Sequence, residues 1–375
     1  MDRSYFATVA KGLEEVAAKE LETLGAREVR TTVTGVHFQG DQALLYKVNL
    51  WSRLIFKVLM PIFQVGCATA EQLYSQVKKL DWSEYLTVEQ SFAVQCTGSN
   101  YQLNHTHFTA LGIKNAIVDQ QKDRFGKRSN IDLKFPDLLI NAHIDQNVCT
   151  ISLDSSRESL HRRGYHLAMG LAPLKETLAA GIIQISGYNG KVAFYDPFCG
   201  SGTLPIEAAL LALNIAPGLS RESFGFESWL DFQSELWQKI KKEALESRLK
   251  TLRAPIIGSD LELSVLQQAR SNAHLCKLEG QIEFQRKALA DVEPKANEGI
   301  LICNPPYGKR IGDSEDLRDL YRQLGDVLKQ RFKGWSAYVL TGNRELAKVI
   351  GLRSSSRYTL YNGSIACVLL KYDLY

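Results

Sequence analysis

Gly299-Ile300-Leu301-Ile302-Cys303-Asn304-Pro305-Pro306-Tyr307 is the stretch that decides the fold. Its first five residues read as a short buried strand. Two consecutive prolines end that strand, because neither has an N–H for a ladder and both fix φ. A stiff corner follows at the strand's carboxyl end, the edge where open α/β sheets carry their chemistry. The corner offers the Asn304 amide, the carbonyls of Pro305 and Pro306, and the Tyr307 ring. That set suits a planar substrate bearing an amino group. Taken alone, the same four residues also fit a packed strand-to-helix turn, so the decision falls to the sequence around them.

From Val192 onward, strand and helix signals alternate, the mark of a parallel sheet. Strands are expected over Val192–Asp196, Ile256–Asp260, Ile282–Arg286, Gly299–Cys303 and Ser336–Thr341. Two more, Ser356–Leu360 and Ser364–Lys371, flank Asn362-Gly363, a strong hairpin signal. A parallel sheet ending in an antiparallel hairpin fits a class I methyltransferase better than a dinucleotide dehydrogenase. Residues 214–253 form an insertion between the first two strands, read as irregular chain and then a charged helix.

The first strand runs into Asp196-Pro-Phe-Cys-Gly200-Ser-Gly202-Thr203, and an apolar helix follows. Gly200 and Gly202 allow a tight turn and close approach to a ligand. The loop does not read as a phosphate cradle. The dinucleotide fingerprint needs a third glycine where Pro205 stands, and the ATP loop with its lysine is absent. Asp196 would repel a pyrophosphate and attract a cation. S-adenosylmethionine carries an amino group and a sulfonium, and has no phosphate. Asp260, ending the second strand, stands where an acid binds both ribose hydroxyls. Asp291, after the third, is placed to accept from an adenine amino group.

The N-terminal half alternates the same signals in a smaller α+β style. Residues 1–65 and 66–155 are expected to form two units, with a basic, glycine-containing linker over 156–173 and the catalytic domain over 174–375. Lys122, Arg124, Lys127 and Arg128 cluster around Phe125 at the end of a long helix. They suit a phosphate backbone, although Lys and Arg also favour helix C-termini. Arg162 and Arg163 in the linker, and Lys309 and Arg310 beyond the proline corner, are expected to join them.

Composition sets the outer bounds. The 375 residues are 45% hydrophobic and 23% charged, with a net charge of +4, a weak hint of an anionic partner. No apolar run reaches the ~18 residues of a membrane span, and no secretory signal is evident at the N-terminus. The seven cysteines stand singly, without a C-x-x-C pair. They fit free thiols in a reducing cytoplasm better than disulfides or a metal site.

Ala172-Pro-Leu-Lys-Glu-Thr177, the 196–203 loop, Ile215-Ala-Pro-Gly218, Gly258-Ser-Asp260 and Asn304-Pro-Pro-Tyr-Gly308 occur in that order. Together they resemble the THUMP-domain RNA guanine-N2 methyltransferases, most nearly the bacterial 23S rRNA (RlmL) group in its unfused form. The resemblance covers essentially the whole chain. It implies a ferredoxin-like region, a THUMP RNA-binding region and a Rossmann-like domain using S-adenosylmethionine. It further implies that Asn304, Pro305, Pro306 and Tyr307 act on the base. Lys175, Asp196, Phe198, Cys199, Ser201, Thr203, Asp260, Leu261, Asp291 and Asn304, with the two loop glycines, would hold the cofactor. RNA is the expected partner, 23S rRNA or alternatively tRNA, with no metal and a monomeric chain. A DNA adenine-N6 or protein glutamine-N5 methyltransferase would use similar acceptors, and a non-catalytic RNA-binding protein would be expected to have lost these motifs.

Overall fold

The computed structural model describes residues 2–165, 174–307 and 314–375. Two seven-stranded sheets organise it. The first is built from β1 (Arg3–Val9), α1 (Glu14–Thr23), β2 (Arg27–Thr32), β3 (Gly35–Gly40), α2 (Gln42–Trp51), β4 (Ile55–Gly66), α3 (Ala70–Lys79), β5 (Phe92–Ser99), α4 (Thr106–Phe125), β6 (Leu138–Asp145) and β7 (Val148–Asp154). The strand order is β2-β3-β1-β4-β7-β6-β5. The long β4 pairs with β1 on one edge and β7 on the other. The two expected N-terminal units therefore share one continuous sheet.

Val33-Thr34 is a turn in the structure, with a strand on either side, the hairpin β2–β3. Arg-Glu-Val-Arg-Thr-Thr carries no apolar alternation because it is a largely exposed edge strand. Gly126, at φ +67, ends α4 in the left-handed conformation that a glycine adopts without strain.

The second sheet begins after α5 (Glu176–Ile185). It comprises β8 (Ala193–Asp196), α6 (Thr203–Ala212), α7 (Ser234–Glu246), β9 (Ile256–Asp260), α8 (Leu263–Leu275), β10 (Ile282–Arg286), β11 (Gly299–Cys303), α9 (Ser314–Arg331), β12 (Ser336–Thr341), α10 (Arg344–Val349), β13 (Ser356–Asn362) and β14 (Ile365–Asp373). Its order is β10-β9-β8-β11-β12-β14-β13, parallel up to β12, with β14 and β13 added antiparallel. Phe194 on β8 faces one apolar layer with Leu204, Ile206 and Ala269. Its neighbour Tyr195 faces the opposite layer with Leu324 and Leu328. That alternation is the two-sided burial expected of a parallel sheet covered by helices.

The insertion joins the two halves. Its one α-helix is α7, as the charged stretch suggested. The preceding irregular segment packs Phe226 against Tyr46 of α2, with ring centroids 4.4 Å apart and Trp237 edge-on to both. A Cβ on Gly218 would lie 2.8 Å from the Leu50 backbone, so glycine is required for this contact. Arg221 bonds the carbonyls of Ser156, Glu158, Ser159 and Arg162, holding the connector in place. Over its described part, up to Tyr165, the expected linker is thus a packed segment, with Ser156, Leu160, Arg163 and Tyr165 buried.

Candidate active site

The site grows from the topology. β8 leads to β9 on one side and β11 on the other, which makes the crevice at their carboxyl ends the switch point of the sheet. Asp196 ends β8, Asp260 ends β9, and Asn304 follows β11. These three side chains are brought to one edge.

The loop after β8 spends its amides internally. Phe198 N–H donates to Asp196 Oδ1 at 3.0 Å, Cys199 N–H to the Ser259 carbonyl at 2.9 Å, and Gly200 N–H to Asp260 Oδ2 at 2.9 Å. Gly202 N–H donates to the Cys199 carbonyl at 2.8 Å. Four amides that a phosphate would need are already taken, so the loop is not built for one. Asn272 Nδ2 holds the Ser201 carbonyl at 3.0 Å from α8. Gly258 lets the loop sit directly on β9: a Cβ there would lie 3.0 Å from Cys199 Cβ and 3.1 Å from its sulfur. Above Gly200, by contrast, a Cβ would meet nothing within 4 Å. The turn is closed beneath and open above.

Asp196 is 1% exposed. Burial, with the Asp260 charge adding to it, drives its pKa well above the usual carboxylate range, against the opposing pull of the Phe198 N–H. A cation is what such a carboxyl lacks. Asp260 accepts from Gly200 N–H and from Glu262 N–H at 3.0 Å, one bond per oxygen. A carboxylate has about four acceptor positions, so capacity remains for hydroxyls. Leu261 and Asp291 are exposed, Phe198 is half-buried, and Cys199 and Thr203 are buried. Lys175 lies with its ammonium over the Phe56 ring of β4, 5.4 Å from the centroid, and makes none of the loop's hydrogen bonds.

At the proline corner, Asn304 Oδ1 is buried and has no hydrogen-bond partner among the described residues. An orphaned buried acceptor costs ~1–3 kcal/mol and signals a missing donor. Pro305 is buried and Pro306 exposed. Tyr307 is half-buried, and burial raises its pKa. Asn362 hydrogen-bonds its hydroxyl and opposes that rise, and the Cys367 thiol lies 3.9 Å from the same oxygen. A Cβ on Gly342 would come within 2.8 Å of the ring, so the terminal hairpin and this glycine together hold Tyr307.

The match is to methyltransferases. The family described as RMKL-like, methyltransferase domain, covers residues 163–371, with a THUMP domain over 67–154 and an RlmL ferredoxin-like domain over 4–59. The chain belongs to the RMKL-like methyltransferase family. It is an S-adenosylmethionine-dependent methyltransferase. A putative RNA methyltransferase of Synechocystis is 56% identical over 100% of this chain and 97% of its own length. The ribosomal RNA large subunit methyltransferase K/L of Syntrophotalea carbinolica is 44% identical over 99% of this chain. The chain spans about half the length of the K/L relatives, 53% in that case. A putative methyltransferase crystallised with SAH superposes with a TM-score of 0.91 at 30% identity, covering 100% of this chain and 98% of that one.

Within this RMKL-like methyltransferase, one expected RNA contact is corrected. Arg163 is 2% exposed, and its guanidinium donates to Glu207 Oε1 at 3.1 Å and to the carbonyls of Leu160 and Arg53. It is a buried strut between the connector, α6 and the N-terminal sheet, out of reach of a phosphate. Arg124 is exposed and paired with Asp81 at 2.7 Å. Lys122, Lys127, Arg128 and Arg162 are exposed. Lys309, Arg310, Gly308 and residues 172–173 lie outside the described residues. Among the described residues no helix is long and apolar enough to cross a membrane, and no group of three or more His, Cys, Asp or Glu is placed to hold a metal.

Sequence reasoning missed the supports of the site: Asn272, Gly342, the Asn362 side chain, and the packing role of Gly258. Asn362 was read only as a turn residue, and nothing local in the sequence tells that its side chain reaches Tyr307.

Proposed function

We propose that this chain methylates the exocyclic N2 of a guanine in 23S rRNA. The orphaned Asn304 Oδ1 carries the reading, because a nucleobase amino group is the donor it lacks. When bound, S-adenosylmethionine supplies a methyl group on a positively charged sulfur. Asp196, Asp260, Asp291 and the 198–203 loop are the residues that would hold it: a buried acid for its cationic end and two acids for hydroxyl and amino groups.

The guanine amino nitrogen is a poor nucleophile because its lone pair is delocalised into the ring. Asn304 Oδ1 and the Pro305 carbonyl would accept its two N–H bonds. Both bonds strengthen as the nitrogen becomes tetrahedral, and the lone pair is then aimed out of the ring plane. That is selective binding of the transition state, and the N–H proton made acidic by methylation passes to water after the transfer, with no general base in the methyl-transfer step. Tyr307 would stack on a base removed from its helix, as enzymes acting on bases require. The rigidity given by Pro305 and Pro306 fixes the geometry before the base arrives.

The relatives named for the large ribosomal subunit favour rRNA as the substrate, and the THUMP match favours an RNA partner. The domain division proposed is 1–65, 66–155 and 174–375, joined by the connector 156–173. Nucleoside mass spectrometry of rRNA and tRNA from a deletion strain tests the proposal. Loss of one N2-methylguanosine from 23S rRNA, restored by the gene, is the expected result. Loss from tRNA instead moves the activity to tRNA, and no change in either removes the proposal.

A further inference from the structure

The turn over residues 10–13 is closed by Leu13 N–H, which donates to the Ala10 carbonyl at 3.0 Å. Two close approaches seat it on the catalytic domain. A Cβ on Gly181 of α5 would lie 2.6 Å from Leu13 Cδ1. A Cβ on Gly12 would lie 2.4 Å from the Thr359 carbonyl oxygen of β13 and 3.4 Å from Leu360 Cδ2. Lys11 adds its ammonium, 4.9 Å from the centroid of the Tyr361 ring. Glu14 fixes the turn from its own side, accepting from Gly12 N–H at 2.7 Å and from Thr34 N–H at 3.2 Å. The N-terminal region thus meets three consecutive residues of β13.

The next residue on that strand is Asn362. It ends the hairpin ladder opposite Ile365, and Gly363, at φ +65, takes the left-handed position of the loop. Leu360 and Asn362 stand two apart on a strand and so face the same side. They are 0% and 8% exposed. On that side Asn362 hydrogen-bonds the Tyr307 hydroxyl. Cys367, the cross-strand partner of Leu360, has its sulfur 3.9 Å from the same oxygen.

The two prolines before Tyr307 fix backbone, and they leave the ring two side-chain torsions of its own. A hydrogen bond at the tip of the ring settles those torsions. The hydroxyl is then an anchor, and the ring face is the surface left for a ligand. A phenylalanine would offer the same face without the anchor.

We propose that Asn362 is a positioning residue that orients the Tyr307 ring for the target base, and that the 10–13 turn sets the hairpin from which it acts. The inference rests on the proposed stacking of Tyr307 on a nucleobase. It makes the N-terminal region a part of the base site that never touches the base. The path consists of direct contacts: Gly12 to Leu360, Leu360 to its neighbours Asn362 and Cys367, and both of these to the hydroxyl. Contiguity is the structural half of such a coupling, and double-mutant cycles supply the energetic half.

The test is a cycle read by methyl transfer from labelled S-adenosylmethionine to 23S rRNA from a deletion strain, with cofactor affinity measured beside it by calorimetry. Asn362→Ala should raise KM for RNA about fivefold, the factor expected of one hydrogen bond, and leave cofactor affinity within a factor of about 2. Tyr307→Phe, which keeps the ring and loses the anchor, should raise KM by the same factor. In the Tyr307→Phe background Asn362→Ala should have no further effect. Gly12→Ala, which drives a methyl into the Thr359 carbonyl, should raise KM in the parent and much less in Tyr307→Phe. An unaltered KM in Asn362→Ala overturns the positioning role. An equal factor in both backgrounds does so too, because it marks a general weakening of the hairpin. The parent's KM in Gly12→Ala overturns the role of the turn. Tyr307→Ala separates this inference from the reading beneath it. An unaltered KM there removes the stacking and the inference together, whereas a raised KM beside an unaltered Asn362→Ala removes the inference alone. A parent chain inactive on 23S rRNA removes the proposed substrate and, with it, the inference.

Discussion

Replacing Arg163 by Met tests how the two halves are joined. The Arg163 and Glu207 side chains are 2% and 0% exposed. Removing the guanidinium leaves Glu207 with Tyr165 O–H, at 3.0 Å, as its remaining donor, since Oε2 has no partner. The carbonyls of Leu160 and Arg53 lose a donor as well. Breaking a buried pair by deleting one partner costs ~3–5 kcal/mol. At roughly 2–4 °C per kcal/mol for domains of this size, the melting midpoint should fall by about 6 °C or more. Adding Glu207→Gln removes the stranded charge and keeps an acceptor for Tyr165. Arg163→Met/Glu207→Gln should therefore recover about 2 kcal/mol. Urea titrations of the parent and the two variants supply the numbers. A single variant within 1 kcal/mol of the parent, or a double no better than the single, would refute this picture of the joint.

Three further outcomes are expected. Asp196 has a pKa raised by burial, so binding a cationic cofactor should ionise it and release a proton. Affinity should then rise with pH, calorimetric enthalpies should differ between buffers of different ionisation heat, and Asp196→Asn should lose about 10–100-fold in affinity, the equivalent of ~1.5–3 kcal/mol. Buffer-independent enthalpies would count against this. Glu176, 6% exposed, has its pKa raised to about 7 by burial. Its neutral form fits the fold, so its contribution is full below the unfolded pKa of about 4.3 and is lost as pH rises through 7. Glu176→Gln should stabilise by about 2 kcal/mol at pH 8 and by little at pH 4, as read by melting curves. Gly342→Ala should push on the Tyr307 ring, raise KM for RNA several-fold and leave cofactor affinity unchanged. An unaltered KM would show that the ring does not meet the base.

Much of the catalytic half was legible because its signals are local. The apolar run 299–303 and the two prolines mark β11 and its end, and Asn362-Gly363 marks the terminal hairpin. Asp196, Asp260 and Asn304 could be placed at one edge because strand ends in a parallel sheet share an edge. What was not legible depends on distant chain. β2 is polar because it is an exposed edge. The sharing of β4 by two units follows from its second edge, which no single window displays. Arg163 sits in a basic stretch that reads as solvated, and only the arrival of Glu207 and two carbonyls makes it a core residue. The aromatic insertion gives no hint in sequence that Ser223, Ser228 and Arg221 would seat a connector some 60 residues earlier.

The central claim is that Asn304 completes its hydrogen bonding with the amino group of the target base. Asn304→Ala, assayed for methyl transfer to 23S rRNA beside calorimetric binding of S-adenosylmethionine, tests it most directly. The account predicts turnover reduced by at least 100-fold, in line with the ~2.7–4 kcal/mol lost with one transition-state hydrogen-bonding group, and cofactor affinity within a factor of about 3 of the parent. Turnover close to that of the parent would contradict it.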